Sequence, residues 1–186
     1  MARCKWCNEK NPKYIEYHDT EWGRARFDDG YLYEMLILES FQAGLSWECV
    51  LNKREAFRQA YAGFDIDAVC DFSEERLNEL SLNAGIIRNR RKISASVKNS
   101  KIFRDISREF GSFYAYLSRF TEGKIFTEVG RVTSELSDRI SLDLMRRGMS
   151  FVGSTIIYSY LQAVGIIYSH EEGCYLYREQ AEEDKL

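Results

Sequence analysis

Four residues able to bind a metal lie at opposite ends of this 186-residue chain. Cys4 and His18 stand near the start, His170 and Cys174 near the end, and the two histidines are the only ones in the sequence. Two thiolates and two imidazoles make a tetrahedral zinc set. About 150 residues separate the two pairs, so a metal here would join the ends of the chain. Cys7 offers a different set. Cys4-Lys5-Trp6-Cys7 is C-x-x-C, and beside the later H-x3-C its spacing favours a Cys4/Cys7/His170/Cys174 knuckle. C-x-x-C also serves thioredoxin-like redox chemistry, but no βαβ pattern surrounds it. Free thiols beside unrelated histidines are the plain alternative.

A second constellation gathers Tyr14, Tyr17, His18, Trp22, Glu39 and Trp47, with Trp6 upstream. All three tryptophans fall within the first 47 residues. Glu39 lies among apolar positions of a helical pattern. If buried, its carboxylate suits exocyclic N–H groups or a cationic ligand. Aromatic faces suit a planar or cationic ring, so together these residues could form a nucleobase pocket. The competing reading is an aromatic core with a surface glutamate. A third feature is Leu82-Asn83-Ala84-Gly85-Ile86-Ile87-Arg88, a tight break between helical patterns. Its backbone N–H groups could face a phosphate, and its arginines add backbone attraction. An ordinary helical turn beside a solvated basic face explains the same residues. The fourth is Gln42-Ala43-Gly44-Leu45-Ser46, where an exposed Leu45 beside Gly44 could wedge into a base stack. A helix kink with a buried leucine is the alternative.

The elements that must position these groups read as helices. Leu32, Met35, Leu36 and Glu39 follow a 3.6-residue period behind Asp28-Asp29, and Gly44 interrupts it. Trp47, Val50, Leu51 and Phe57 resume a helical face. Phe64-Asp65 opens a short helix, and Ser73 caps one running through Leu77 and Leu80. After Ala84-Gly85-Ile86, helical spacing returns at Ile93, Val97 and Ile102. Phe110 to Phe120 is an aromatic-rich helical stretch, and 121–136 is irregular. Leu142 to Arg147 forms a helix capped by Gly148, and Ile156 to Val164 a buried one. Ile125 to Val129 is the best strand candidate, a weak one. The expectation is all-α, with two helical lobes and a cleft between them.

Composition sets limits. At 186 residues, 45% hydrophobic and 30% charged, the chain suits one globular domain. No apolar run approaches the ~20 residues that span a bilayer, and Met1 to Lys5 carry no signal-type stretch. Five cysteines then imply a reducing, cytoplasmic setting with thiols or metal rather than disulfides. Net charge is −3, which argues against a general nucleic-acid scavenger. From Ser81 to Arg104, however, there is no Asp or Glu beside Arg88, Arg90, Arg91, Lys92, Lys98, Lys101 and Arg104. Acidic charge is spread elsewhere, with a block at Glu182, Glu183 and Asp184. Walker A, G-x-S-x-G, G-x-G-x-x-G and H-E-x-x-H signatures are absent.

Several segments carry a family resemblance. They are Arg3-Cys4-Lys5-Trp6, Tyr14-Ile15-Glu16-Tyr17-His18-Asp19-Thr20-Glu21-Trp22-Gly23, Leu38-Glu39-Ser40-Phe41-Gln42-Ala43-Gly44-Leu45-Ser46-Trp47, Ala84-Gly85-Ile86-Ile87-Arg88, Arg147-Gly148-Met149-Ser150-Phe151-Val152-Gly153 and His170-Glu171-Glu172-Gly173-Cys174. In order and across nearly the whole chain, they resemble the 3-methyladenine DNA glycosylase I family of bacteria. The resemblance implies a helix-hairpin-helix DNA glycosylase fold over 1–186. The hairpin would lie around 74–102, and one structural zinc would link termini 1–22 and 165–178. It implies Cys4, His18, His170 and Cys174 as ligands. Glu39 and Tyr17 would act on the base in a pocket with Trp47, Tyr14, Trp6 and Trp22. Gly44, Leu45, Ala84, Gly85, Ile86 and Arg88 would contact DNA. The implied partner is double-stranded DNA containing alkylated adenine, acted on by a monomer without a membrane. N3-methylation makes adenine cationic and a good leaving group, so selecting that base can carry much of the catalysis. The resemblance also implies that the oxocarbenium-stabilising aspartate of many relatives on this fold is absent. Asn11-Pro12 stands where D-P is common, and Gly23-Arg24-Ala25 replaces G-V-P. The rivals are a non-catalytic helix-hairpin-helix DNA-binding module with a structural zinc, and a zinc hydrolase. Four protein ligands would leave the hydrolase no open position for water.

Overall fold

In the computed structural model, residues 1–178 are described; the acidic residues Glu182, Glu183 and Asp184 lie outside them. Ten α-helices carry the described fold: α1 Pro12–Thr20, α2 Asp29–Gln42, α3 Trp47–Asn52, α4 Arg54–Ala60, α5 Ile66–Cys70, α6 Glu74–Leu82, α7 Arg90–Phe110, α8 Phe113–Thr121, α9 Glu135–Arg146 and α10 Ser154–Ala163. Two-residue strands β1 Phe126–Thr127 and β2 Ile167–Tyr168 pair in parallel.

Helix α2 is the axis of the fold. Leu32, Tyr33, Met35, Leu36, Ile37, Leu38 and Phe41 have no exposed surface. A helix apolar on every side must be surrounded, and α3, α7, α8 and α10 pack on it. The longest helix, α7, is amphipathic, turning Ile93, Val97, Phe103 and Ile106 inward. Side-chain caps start most helices. Asp28, Ser46, Asp65, Ser73, Asn89, Ser112 and Ser134 each accept a backbone N–H two or three residues on.

The structure departs from the sequence reading in four places. Helix α1 is absent from that reading, although Asn11 caps it and Pro12 opens it. The aromatic stretch Phe110 to Phe120 is two helices, because Gly111 adopts φ +90° and ends α7. Helix α9 begins at Glu135, inside the stretch read as irregular. Its start is set by a Ser134/Ser137 capping box, a shorter-armed version of the usual Ser…Glu pattern. Finally, the fold is mostly rather than wholly helical. The weak strand candidate at 125–129 does pair, at Phe126↔Ile167 and Thr127↔Tyr168, with a partner about 40 residues away.

Candidate active site

Helix α1 builds two sites from one face. Tyr14, Tyr17 and His18 are spaced i, i+3 and i+4, and all three are buried. The tyrosines turn toward α2 and α3, where Glu39 and Trp47 meet them. Tyr17 lies 5.3 Å from Trp47, centroid to centroid. Trp6 packs edge-on to Trp22 at 4.6 Å and tilts over Tyr14 at 5.3 Å. All six pocket residues expected from sequence line one cavity of about 280 Å³. That lies below the ~300–1,000 Å³ typical of ligand sites, so the occupant is small.

The far wall was not anticipated. Gln42 at the end of α2, Ser159 and Gln162 of α10, Arg131, and Ser169 also line the cavity. A signal existed for two of them: Ser159 and Gln162 stand i, i+3 as the polar residues of an otherwise apolar run. The polarity of Gln162 is set by a relay. Ser169 Oγ donates to Glu128 O, so it can only accept from Gln162 Nε2, at 2.8 Å.

The electrostatics of the cavity are unusual. Glu39 is 2% exposed, and burial alone pushes its carboxyl well above the ordinary range. Among the described residues no cation pairs with it. Glu39 Oε2, Gln42 Oε1 and Trp47 Nε1 are all buried without a hydrogen-bond partner. Burial also raises the Tyr17 phenol, and Glu39 raises it further; Tyr14 is pushed up to about 12. Buried orphans are rare and costly, so two acceptors and one donor around one cavity call for a ligand with complementary groups.

His18 looks the other way, into the metal-competent cluster Cys4–His18–His170–Cys174. Its four ligand atoms lie within 4.8 Å of one another. Cys174 Sγ is 3.5 Å from His18 Nε2 and 3.6 Å from His170 Nδ1, and Cys4 Sγ is 3.5 Å from His170 Nδ1. Tetrahedral bonds of ~2.3 Å to sulfur and ~2.05 Å to nitrogen give an S···N edge of about 3.6 Å, so the donor set fits zinc. Cys7 lies outside the cluster, with its thiol on Tyr14 O at 3.7 Å. Spacing favoured Cys7, but helix α1 carries His18 into that place. Supporting bonds orient the set. His18 Nδ1 meets Asp19 Oδ1 at 2.8 Å, and His170 Nε2 donates to Trp22 O at 3.3 Å. Arg3 grips Asp19 in turn and holds its carboxyl far below the usual range. Burial pushes the Cys4 thiol up to about 12 and His170 down to about 4. Trp6 packs on His18 at 5.3 Å and Trp22 on His170 at 4.7 Å, so the cluster backs one cavity wall.

The remaining candidates lie outside the cavity. Leu45 is 43% exposed, after Gly44 at φ +78°. In the α6–α7 turn, Ala84 and Arg88 are exposed, but Ile86 is buried at 2%. Gly85 N–H and Ile86 N–H are both committed to Asn83. At the start of α7, Lys92 N–H is likewise taken, by the Asn89 side chain at 3.2 Å.

Fold and site together define a mostly helical protein with one small aromatic cavity, lined by buried hydrogen-bonding groups and backed by a Cys2His2 cluster. The methyladenine glycosylase family pattern matches residues 6–178, and the chain belongs to that family. It is 40% identical over 184 residues to the DNA-3-methyladenine glycosylase 1 of Escherichia coli, covering 95% of this chain and 97% of that protein. A crystal structure of a 3-methyladenine DNA glycosylase I superposes with a TM-score of 0.90 at 36% identity, covering 95% of this chain and 100% of that one. A tyrosine-to-phenylalanine variant of such an enzyme, solved in complex with 3-methyladenine, gives a TM-score of 0.89 at 28% identity, covering 94% and 97%.

Proposed function

We propose that this chain is a monofunctional DNA glycosylase that hydrolyses the N-glycosidic bond of 3-methyladenine in alkylated DNA. The observation that carries the reading is the trio of partnerless buried atoms around one aromatic cavity. An adenine ring offers what the trio lacks: amino N–H groups for Glu39 and Gln42, and ring nitrogens for Trp47 Nε1. Methylation at N3 adds positive charge, which a buried carboxylate favours over neutral adenine. Trp47 and Tyr14 supply stacking faces, and Tyr17 sets the position of Glu39's neighbour wall. Trp6 and Trp22 close the cavity.

The base must leave the duplex before it can enter. In this reading α6, the turn at 83–89 and α7 form a helix-hairpin-helix around 74–102. Ala84, Gly85, Ile86 and Arg88 approach the backbone, while Gly44 and Leu45 enter the stack. Water then attacks the sugar carbon as the base departs with the bond's electrons. The base loses its positive charge as it takes those electrons and the charge moves to the sugar, so Glu39 and the stacked rings act by selecting and holding the cationic base before the step. The attacking water gives up its proton to solvent, and no general base is assigned. Cys4, His18, His170 and Cys174 would hold one zinc ion, which supplies a cross-link between the chain ends and leaves no position for water. The whole of 1–186 acts as one domain, a monomer of the cytoplasm on double-stranded DNA. Among the described residues no helix is long and apolar enough to cross a membrane.

The test is incubation with methylated DNA and chromatographic separation of the released bases. Release of 3-methyladenine without 7-methylguanine is expected. Binding to DNA with no base released would overturn the enzymatic reading in favour of a binding module.

A further inference from the structure

Two lysines reach in opposite directions across the junction between the hairpin and the Leu45 loop. Lys92, in the first turn of α7, is 6% exposed. Its Nζ donates to Phe41 O at 2.7 Å and to Ala43 O at 2.5 Å, the carbonyls that end α2. A helix C-terminus leaves such carbonyls without partners and carries partial negative charge, so a cation is the natural cap. Helix α2 has no basic residue in its own last turn. The cap comes instead from the hairpin's second helix. Lys53, at the α3–α4 corner, reaches the other way. Its Nζ donates to Ala84 O at 3.1 Å and Gly85 O at 3.2 Å, in the hairpin turn. The turn sits so close to α4 that a Cβ on Gly85 would lie 3.2 Å from that of Ala56.

Burial of the Lys92 ammonium is unfavourable in itself, and an apolar side chain of similar length would avoid that penalty. Its two bonds hold the segment that ends two residues before Leu45. Gly44 takes φ +78°, and Leu45 N–H donates back to Gln42 O at 2.6 Å, so the loop is tied to the end of α2 that Lys92 holds. A side chain that displaces a base needs a rigid footing, and the part of the protein held on the DNA backbone can supply one.

We infer that Lys92 and Lys53 are positioning residues that cross-brace the hairpin and the Leu45 loop, so that grip on the DNA backbone drives insertion of Leu45. The inference rests on the glycosylase reading above. Lys92→Met removes the brace at nearly constant volume, and Lys92→Arg keeps the charge. Both are compared with Leu45→Ala and the Lys92→Met/Leu45→Ala double variant. Single-turnover excision is measured on a methylated single-stranded oligonucleotide and on the same strand annealed to its complement. Affinity for free 3-methyladenine is read from quenching of the cavity tryptophans.

Lys92→Met should slow duplex excision by about 10-fold or more, the scale of losing charge-assisted bonds from a transition state. Single-strand excision and free-base affinity should stay within about 2-fold of the unmodified protein, the size of a side effect rather than of a lost bond. Lys92→Arg should recover most of the duplex rate, and the double variant should be no slower than the slower single one. Lys53→Met, at a more accessible site, should show a weaker loss with the same duplex selectivity. Equal losses on both substrates and on free-base affinity would overturn the inference, making Lys92 a support of the pocket or fold. Additive losses in the double variant would also overturn it. Failure of the unmodified protein to release any base defeats the glycosylase reading instead, so the two failures are distinguishable.

Discussion

Glu39→Gln should make this protein more stable and worse at its work. Glu39 is 2% exposed, its Oε2 has no partner, and burial alone raises its pKa. The unfolded chain releases this proton as pH rises through the ordinary carboxylate range, while the folded chain holds it. Stability from this group is therefore fully present below the unfolded pKa and falls as pH rises toward the folded one. Glutamine keeps the shape and cannot ionise. At pH 7 the substitution should raise stability, because glutamine has no proton that the unfolded chain can release. For a chain of this size each 1 kcal/mol gained would raise Tm by about 2–4 °C. The gain should shrink as pH falls through 4.5, where the unfolded parent also takes up the proton. Affinity for 3-methyladenine should move the other way. A cationic base entering beside Glu39 favours loss of the carboxyl proton, so the bound carboxylate is charged, and losing a bond to it costs about 1.5–3 kcal/mol, or roughly 10- to 150-fold. Thermal melts followed by circular dichroism at pH 4.5 and 7.5, with fluorescence titration of the base, read both quantities. A variant that melts lower at pH 7.5 and binds the base undiminished would refute the reasoning, because Glu39 would then be a satisfied core residue.

Three further outcomes follow from the same geometry. Elemental analysis should find one zinc per chain; Cys174→Ser should lose it and melt lower, while Cys7→Ser should retain it. Asp19→Asn should weaken zinc binding by about 10- to 100-fold through loss of the carboxylate charge behind His18. Arg3 keeps Asp19 ionised far into acid, so competition with a chromogenic chelator should show no Asp19-linked change between pH 5 and 8. Arg88→Ala should lower the salt dependence of DNA binding by about one unit of slope without altering free-base affinity, as measured by titration at several salt concentrations.

Much of the site can be read along the chain because it is written locally. Tyr14, Tyr17 and His18 share a face through helical spacing alone, and Ser46 caps the helix that presents Trp47. The far wall is not local. Gln162 and Ser169 become a polarised pair only where α10 and β2 meet Glu128, about 40 residues earlier in the chain. The start of α9 was missed for a smaller reason: serine in place of glutamate closes its capping box.

The sequence alone determined the helical periods, most of the caps, the break at Gly44 and the family. Those depend on a residue and its neighbours within one or two turns, where backbone geometry dictates what can touch. Tertiary packing decided which cysteine and histidine join Cys174, whether Glu39 has a partner, and where Lys92 sends its ammonium. C-x-x-C spacing favoured Cys7, yet the packing of α1 delivers His18 and leaves Cys7 on a backbone carbonyl. Lys92 belongs by sequence to a basic stretch, yet α2 packs beside α7 and takes it as a cap. Burial and pairing are properties of whatever lies opposite. For these residues, what lies opposite comes from 50 to 166 residues away along the chain.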